Sequence, residues 1–503
     1  MTRSAPTAAS IVLALPAAGA VQDVPDVAAP AVTKAWAILT SALESSSLPE
    51  QGAAARAIIT NETPRARNLI DGILQDKSRQ IRSSVILMMP SGPAMLPLIA
   101  EALQDRDLEV RRAAIQQLGR ISDPRALALL EDVLLKGDAE MVAYAAGSAE
   151  RLGPASFGIL LRALDTGADQ SRKSVARTLD VLINPWVRPQ SSENLEALRR
   201  LEPTRILAKV MADRDRDVRS FAALILARLG DRAAGDELIR MVEASDPRFG
   251  TVVSRHYAMA ALNKLGRPGY LAPLTAALAS SDERSRLDAA YAMRSFVHPS
   301  MRDALNATWR TSSFSDVRAS AFESLLAISS DDRELLRAGL VDVEPSIRVK
   351  AAERLLALGS DPGSVDVLER LVAEESWGRA VPLTMLSTKG DPGRTAALAR
   401  SLLPKSAEEL AQMRGTFYSY DAWHWLSVVS TLETLKDREA VPALGSLLEW
   451  GADQELSARI VRVLVAVNNE ASQRILVRAL DSPRVMVRIA AAGGVLSVYA
   501  PAP

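Results

Sequence analysis

Apolar and polar positions alternate along most of the chain with the period of an α-helix, not of a strand. The clearest instance is Val110, Ala114 and Leu118, an i, i+4, i+8 stripe with Arg111 directly after its first member. The spacing returns at Val218-Arg219…Ala222…Leu226, at Val317-Arg318…Ala321…Leu325 and at Ile347-Arg348…Ala351…Leu355. Weaker copies carry Arg82, Arg172, Arg255, Arg286, Arg459 and Arg488. From Arg82 to Arg111, Arg255 to Arg286, Arg286 to Arg318, Arg318 to Arg348 and Arg459 to Arg488 the steps are 29, 31, 32, 30 and 29 residues. A period near 30 means stacked supersecondary units, each burying its apolar face against the next.

Each unit reads as two helices. Before each arginine helix lies a second apolar run: Ala126–Leu135, Ile206–Met211, Leu274–Leu278, Val365–Val372 and Ile475–Leu480. The small Ala three residues after the arginine lets a neighbouring helix approach closely. Asp123-Pro124, Asp361-Pro362 and Asp391-Pro392 place a capping acid before a proline at the first helical position. Gly230, Gly266 and Gly359 fall just past a helix, where glycine is favoured. The expected fold class is all-α, an α-α superhelix of about thirteen helix pairs over residues 65–503. Two less regular helices, 31–45 and 50–60, are expected to cap its N-terminal end. With helices packed about 8–10 Å apart, the stack is expected to be elongated, on the order of 100 Å or more.

The Asp-Val-Arg starts (Asp217-Val218-Arg219 and Asp316-Val317-Arg318), the Ala at +3 and the Asp-Pro joints resemble the HEAT-repeat superfamily. They are most like the short HEAT-like repeats first described in phycobilisome lyases. The resemblance covers roughly residues 65–500. It implies a helical solenoid and is nearly silent about function.

The register breaks twice. Arg172 to Arg219 spans 47 residues, which puts an insertion within 184–204, and a second irregular stretch includes 404–421. In solenoids such insertions map to loops on one face, often the binding face. The second break leads into Phe417–Trp425 (FYSYDAWHW), the densest aromatic stretch of the chain. Trp and Tyr bury large areas while keeping a polar handle, so Tyr418, Tyr420 and Trp423 are the partner-binding candidates, with Trp186 in the first insertion as a weaker one. Packing within the irregular repeat is the competing role. The arginine row, Arg111, Arg219, Arg255, Arg286, Arg318, Arg348 and Arg488, is expected to be structural. Asp107, Asp217, Asp316 and Glu344 recur beside it, and Asp–Arg rows stitch adjacent units.

Composition narrows the function classes. Lys+Arg and Asp+Glu both count 60, so the basic excess of a duplex-binding protein is missing. No nucleic acid partner is expected, although a nucleic-acid-binding helical repeat with a local basic stripe is one alternative reading. The chain has no cysteine, which removes thiolate metal sites, thiol nucleophiles and disulfides. Arg3, the apolar run Ala5–Ala20 and the small residues Ala18-Gly19-Ala20 read as a signal peptide over 1–20. Residues 21–64 then form a linker and capping helices, and the expected location is periplasmic or secreted. No segment reads as a transmembrane helix.

No catalytic constellation emerges. His256, His298 and His424 are the only histidines, and none stands in a metal-binding spacing. Ser156 in GPASFG lacks the spacing of a nucleophile elbow. Asp213-Arg-Asp215-Arg-Asp217 opens like a calcium loop, but Val218 and Leu224 occupy its required Gly and Glu positions. No cofactor is expected. The expected function is a non-catalytic protein-binding scaffold, with a lyase-like enzyme accessory or chaperone as the other alternative.

Overall fold

The computed structural model describes residues 25–59, 64–76, 78–89, 91–184, 191–243, 255–359, 361–374, 379–414, 422–450 and 454–500. Among these it contains thirty α-helices and six short 3-10 turns, with no strand. The chain is an α-α superhelix. From Pro64 onward the helices fall into thirteen antiparallel pairs, with two extra helices where the sequence register breaks.

Local chemistry sets the helix ends. The side chains of Asp123, Asp361 and Asp391 accept hydrogen bonds from the backbone N–H groups of Arg125, Ser364 and Arg394, each ahead of a proline at the first helical position. Gly230 and Gly266 close their helices with φ of 84° and 87°, a left-handed conformation that costs glycine little.

The two helices of each pair lie in separate layers. The helices that carry the arginine row pack one against the next all the way along: Arg79–Met88, Leu108–Leu118, Ala139–Leu152, Asp169–Leu182, Arg216–Leu229, Arg255–Lys264, and on to Gln454–Val467 and Val485–Tyr499. Their partners, such as Pro124–Lys136 and Glu470–Ala479, touch one another more sparsely. Closer spacing puts the arginine helices on the inner, concave side. Ala114, Ala222 and Ala351 are fully buried in these seams.

The stack does not stay open. The first two helices, Pro25–Glu44 and Leu48–Ile59, pack against the last helix, Val485–Tyr499, while the second also leads into the repeat that follows it. Lys34 pairs with Asp481, and Arg56 pairs with Glu455 at 3.4 Å, so both bridges join the two ends of the chain. A Cβ built on Gly493 would lie 2.9 Å from the Cβ of Ala57, so the helices cross here at near-backbone contact. The expectation of an elongated stack with a free N-terminal cap is corrected accordingly: the superhelix closes on itself. Each pair turns slightly from the last because the inner helices are the closer packed, and fourteen pairs, with Pro25–Glu44 and Leu48–Ile59 counted as the first, bring the end round to the beginning.

The first insertion also differs from expectation. Its described part is a helix, Ser191–Arg199, not a surface loop. Leu198 is fully buried, and Asn194, 6% exposed, donates its side-chain N–H to the carbonyl of Leu182 at 2.7 Å. The second insertion contains the helix Ala407–Arg414, which packs on Val441–Trp450.

Candidate partner-binding surface

Six residues before most of the row arginines, the chain leaves one helix of a pair to enter the next. There Nη1 of the arginine donates to the backbone carbonyl: Arg111 to Asp105 at 2.8 Å, Arg219 to Asp213 at 2.8 Å, Arg286 to Ser280 at 2.7 Å and Arg488 to Ser482 at 2.8 Å. Each bond satisfies a turn carbonyl just past the end of the helix, which the helical ladder does not reach. The carboxylates at this place serve the preceding repeat. Arg82 grips Asp105 with two bonds of 2.9 and 3.0 Å, Arg172 bonds Asp213 at 2.9 Å, and Arg318 reaches both oxygens of Asp342 at 2.8 and 2.7 Å. Asp105 and Asp213 therefore each tie two repeats, the carbonyl to the repeat's own arginine and the carboxylate to the arginine before. Arg348 continues the row to Glu374 at 3.5 Å. The residue six before Arg255 lies outside the described residues.

These partners are not the acids that flank the arginines in sequence. Asp107 caps its helix and Asp217 pairs with Lys173. Glu344 caps the helix Pro345–Ala357. The calcium-like acids are likewise engaged: Asp213 accepts from the Asp215 amide, and Asp215 from the Asp217 amide. Among the described residues, no group of three His, Asp or Glu side chains is placed to hold a metal ion.

A buried polar cluster spans the middle of the inner layer. Arg228, 1% exposed, pairs with Asp180 and lies 4.3 Å from the centre of the Phe296 ring. Burial pushes the Tyr257 hydroxyl up to about 12. Burial, with Arg228 and Arg199 nearby, pushes Lys264 down to about 8. His256 is half-buried, and its burial also lowers it. The ring of His298 accepts from the amide of Ser300, and Ser156 donates to the carbonyl of Gly153 at 2.7 Å; both are local turn contacts.

A cavity of the inner wall lies at the closing seam. It measures about 400 Å³ and opens between Leu48–Ile59, Gln454–Val467 and Val485–Tyr499. Small and apolar residues from both ends of the chain line it, among them Ala53, Ala57, Ala458, Val465, Met486 and Gly494. Its rim carries two ion pairs, Arg56–Glu455 and Arg462–Glu433, the second at 3.4 Å. Sequence reasoning missed this site. The available signal was Gly493-Gly494 inside a helix, a pair that costs about 1 kcal/mol per glycine unless another backbone must come close.

Tyr418, Tyr420 and Trp186 lie outside the described residues. Trp423 falls in the first turn of the helix Ala422–Leu435, where only the backbone is described.

Paired helices in two layers, with a stitched inner row, define an α-α solenoid. Residues 89–151 and 204–294 match the family model of HEAT repeats, which supports the HEAT-repeat superfamily for those stretches of the solenoid. No curated protein matches the chain. Among solved structures it is similar to an engineered protein from a structural genomics consortium, at 18% identity and a TM-score of 0.22. That match covers 93% of this chain and 100% of the other. It is also similar to Kap121p bound to RanGTP, at 14% identity and a TM-score of 0.30, over 91% of this chain and 54% of that one. Kap121p bound to the extreme C-terminus of the protein phosphatase Cdc14p matches at 14% identity and a TM-score of 0.31, over 92% and 53%. The chain thus spans about half the length of Kap121p. No described helix is long and apolar enough to cross a membrane.

Proposed function

We propose that this chain is a non-catalytic scaffold that holds a partner protein against the inner wall of the closed superhelix. The supporting observation is the seam cavity. Its lining is mostly apolar and rich in Ala and Gly, which suits the apolar face of a partner helix. The rim pairs would set the orientation of that helix without adding much affinity, as exposed ion pairs do. An arginine in place of Ala458 would put an unpaired charge on the cavity wall. In cross-linked purifications from the native cells, A458R is expected to lose proteins that the wild type retains, with helicity and melting unchanged. An identical set of retained proteins would overturn the reading.

The same proposal places the protein outside the cytoplasm, on the strength of the apolar run that ends in Ala18-Gly19-Ala20. The mature native chain is then expected to begin near Val21, and retention of residues 1–20 would refute it. Tyr418, Tyr420 and Trp423 are proposed as a second contact. Each Ala substitution there is expected to weaken the complex by about 2 kcal/mol at unchanged melting. Losses of stability of about 3–5 kcal/mol instead would mark them as core residues.

A further inference from the structure

Most arginines at the turns between successive pairs have a partner. Arg125 bonds Asp123 at 3.0 Å, Arg302 bonds Ser329, Arg394 pairs with Glu369, and Arg474 pairs with Glu470. Two that stand at neighbouring turns do not. Arg232 opens the turn after Arg216–Leu229, and Arg267 the turn after Arg255–Lys264. Both are exposed, and among the described residues neither guanidinium meets a carboxylate or a carbonyl. They face one crevice of about 220 Å³, completed by Gly235, Leu265 and Gly266. A Cβ built on Gly235 would stand 3.4 Å from Nη2 of Arg267, in ordinary contact, so that guanidinium lies close to the start of the helix Gly235–Glu243.

No carboxylate lines this crevice. The carboxylate of Asp231 is taken by the amide of Ala233 at 2.9 Å, and Asp236 is exposed outside the lining. Further cations stand inward of it: Lys264 precedes the lining residue Leu265, and the C-terminal end of the adjoining helix Arg216–Leu229 holds Arg228, which pairs with Asp180 through Nη1 while its Nε and Nη2 are buried without an acceptor. Lys264 is accordingly held down at about 8 by burial, Arg228 and Arg199. Two free guanidinium forks around a pocket that admits a tetrahedral group form a charge-assisted anion cradle.

We propose that the crevice between Arg232 and Arg267 binds a dianionic oxyanion of the phosphate class. The source is either free inorganic phosphate or a phosphate group carried by another molecule. The site is independent of the seam cavity, so neither proposal depends on the other. Calorimetric titration of the full chain with inorganic phosphate, at ionic strength held constant with sodium chloride, tests it, with phosphoserine in a second arm. One saturable site is expected. R232A and R267A should each weaken it by about tenfold or more, and R267K should weaken it too, because the charge stays but the fork is lost. R438A, at an equivalent turn elsewhere, should leave it unchanged. Acetate should bind at least about tenfold more weakly than phosphate. Tighter binding in the phosphoserine arm assigns the site to a carried phosphate, and tighter binding of inorganic phosphate to the free ion. No saturable binding in either arm, binding that survives R232A and R267A together, or equal binding of acetate would overturn the proposal. Circular dichroism of each variant keeps a folding defect distinct from a binding one.

Discussion

Removing the carboxylate of Asp342 tests whether one aspartate truly joins two repeats. Asp342 accepts from Arg318 twice, from Nε1 of Trp309 at 2.7 Å and from the amide of Glu344 at 2.9 Å. Its side chain is 4% exposed and that of Arg318 is 15%. In D342A the indole N–H and Nη2 of Arg318 lose their acceptor while buried, and breaking a buried pair on one side costs about 3–5 kcal/mol. D342N keeps an acceptor for the indole and loses only the charge, so about half that cost is expected. Burial alone would raise the Asp342 carboxyl, but the bonds from Arg318, the Glu344 amide and Trp309 outweigh it and hold it below its ordinary value. Its contribution is therefore fully present above the ordinary value of 3.8 and is lost as pH falls through the lowered one. Hydrogen exchange is the suitable assay, because a repeat array need not unfold in two states. Amides of the helices Arg302–Thr311 through Pro345–Ala357 should lose protection, while those of Leu108–Leu118 keep it. A loss under about 1 kcal/mol, the range of an exposed pair, would refute the reasoning.

Two further outcomes follow from the packing. Lys264 is held down to about 8, below its ordinary 10.5, so the unfolded chain binds more protons between those values and stability should rise with pH across that window. K264M should abolish the rise and stabilise the protein near neutrality by about 2 kcal/mol; a pH profile unchanged by K264M would contradict this. A222F places a ring in a seam where Ala222 is fully buried, and overpacking should cost about 1–3 kcal/mol, read as a lowered melting temperature. An unaltered melting temperature would mean that this seam has room to spare.

The repeat architecture was legible because its signals are local. An i, i+4, i+8 stripe, an Asp-Pro start and a terminal glycine each act within one or two turns of helix, and Val110-Arg111…Ala114…Leu118 displays them without reference to the rest of the chain. The partners of the arginines were read from the wrong acids. Flanking residues such as Asp107 and Asp217 are nearer in sequence, but Asp105, Asp213 and Asp342, each six residues before an arginine, stand where the arginine of the previous repeat can reach. The helix Ser191–Arg199 was hidden inside an insertion because Asn194 is a polar residue satisfied by a backbone carbonyl, a bond that no apolar pattern announces. Closure was out of reach for a different reason. It depends on a small rotation summed over fourteen pairs, and a slight change in each would leave the ends apart. Gly493, pressed on Ala57, is its one trace in the sequence.

Closure is also what can be measured most directly. The chain has no cysteine, so K34C and D481C would be the only labelling sites in a doubly substituted protein. A distance measurement between labels at these positions should give one short separation, on the scale of two packed helices at about 10 Å plus the length of the labels. A separation on the order of 100 Å, the length of an open stack, would contradict the closed superhelix and with it the seam cavity.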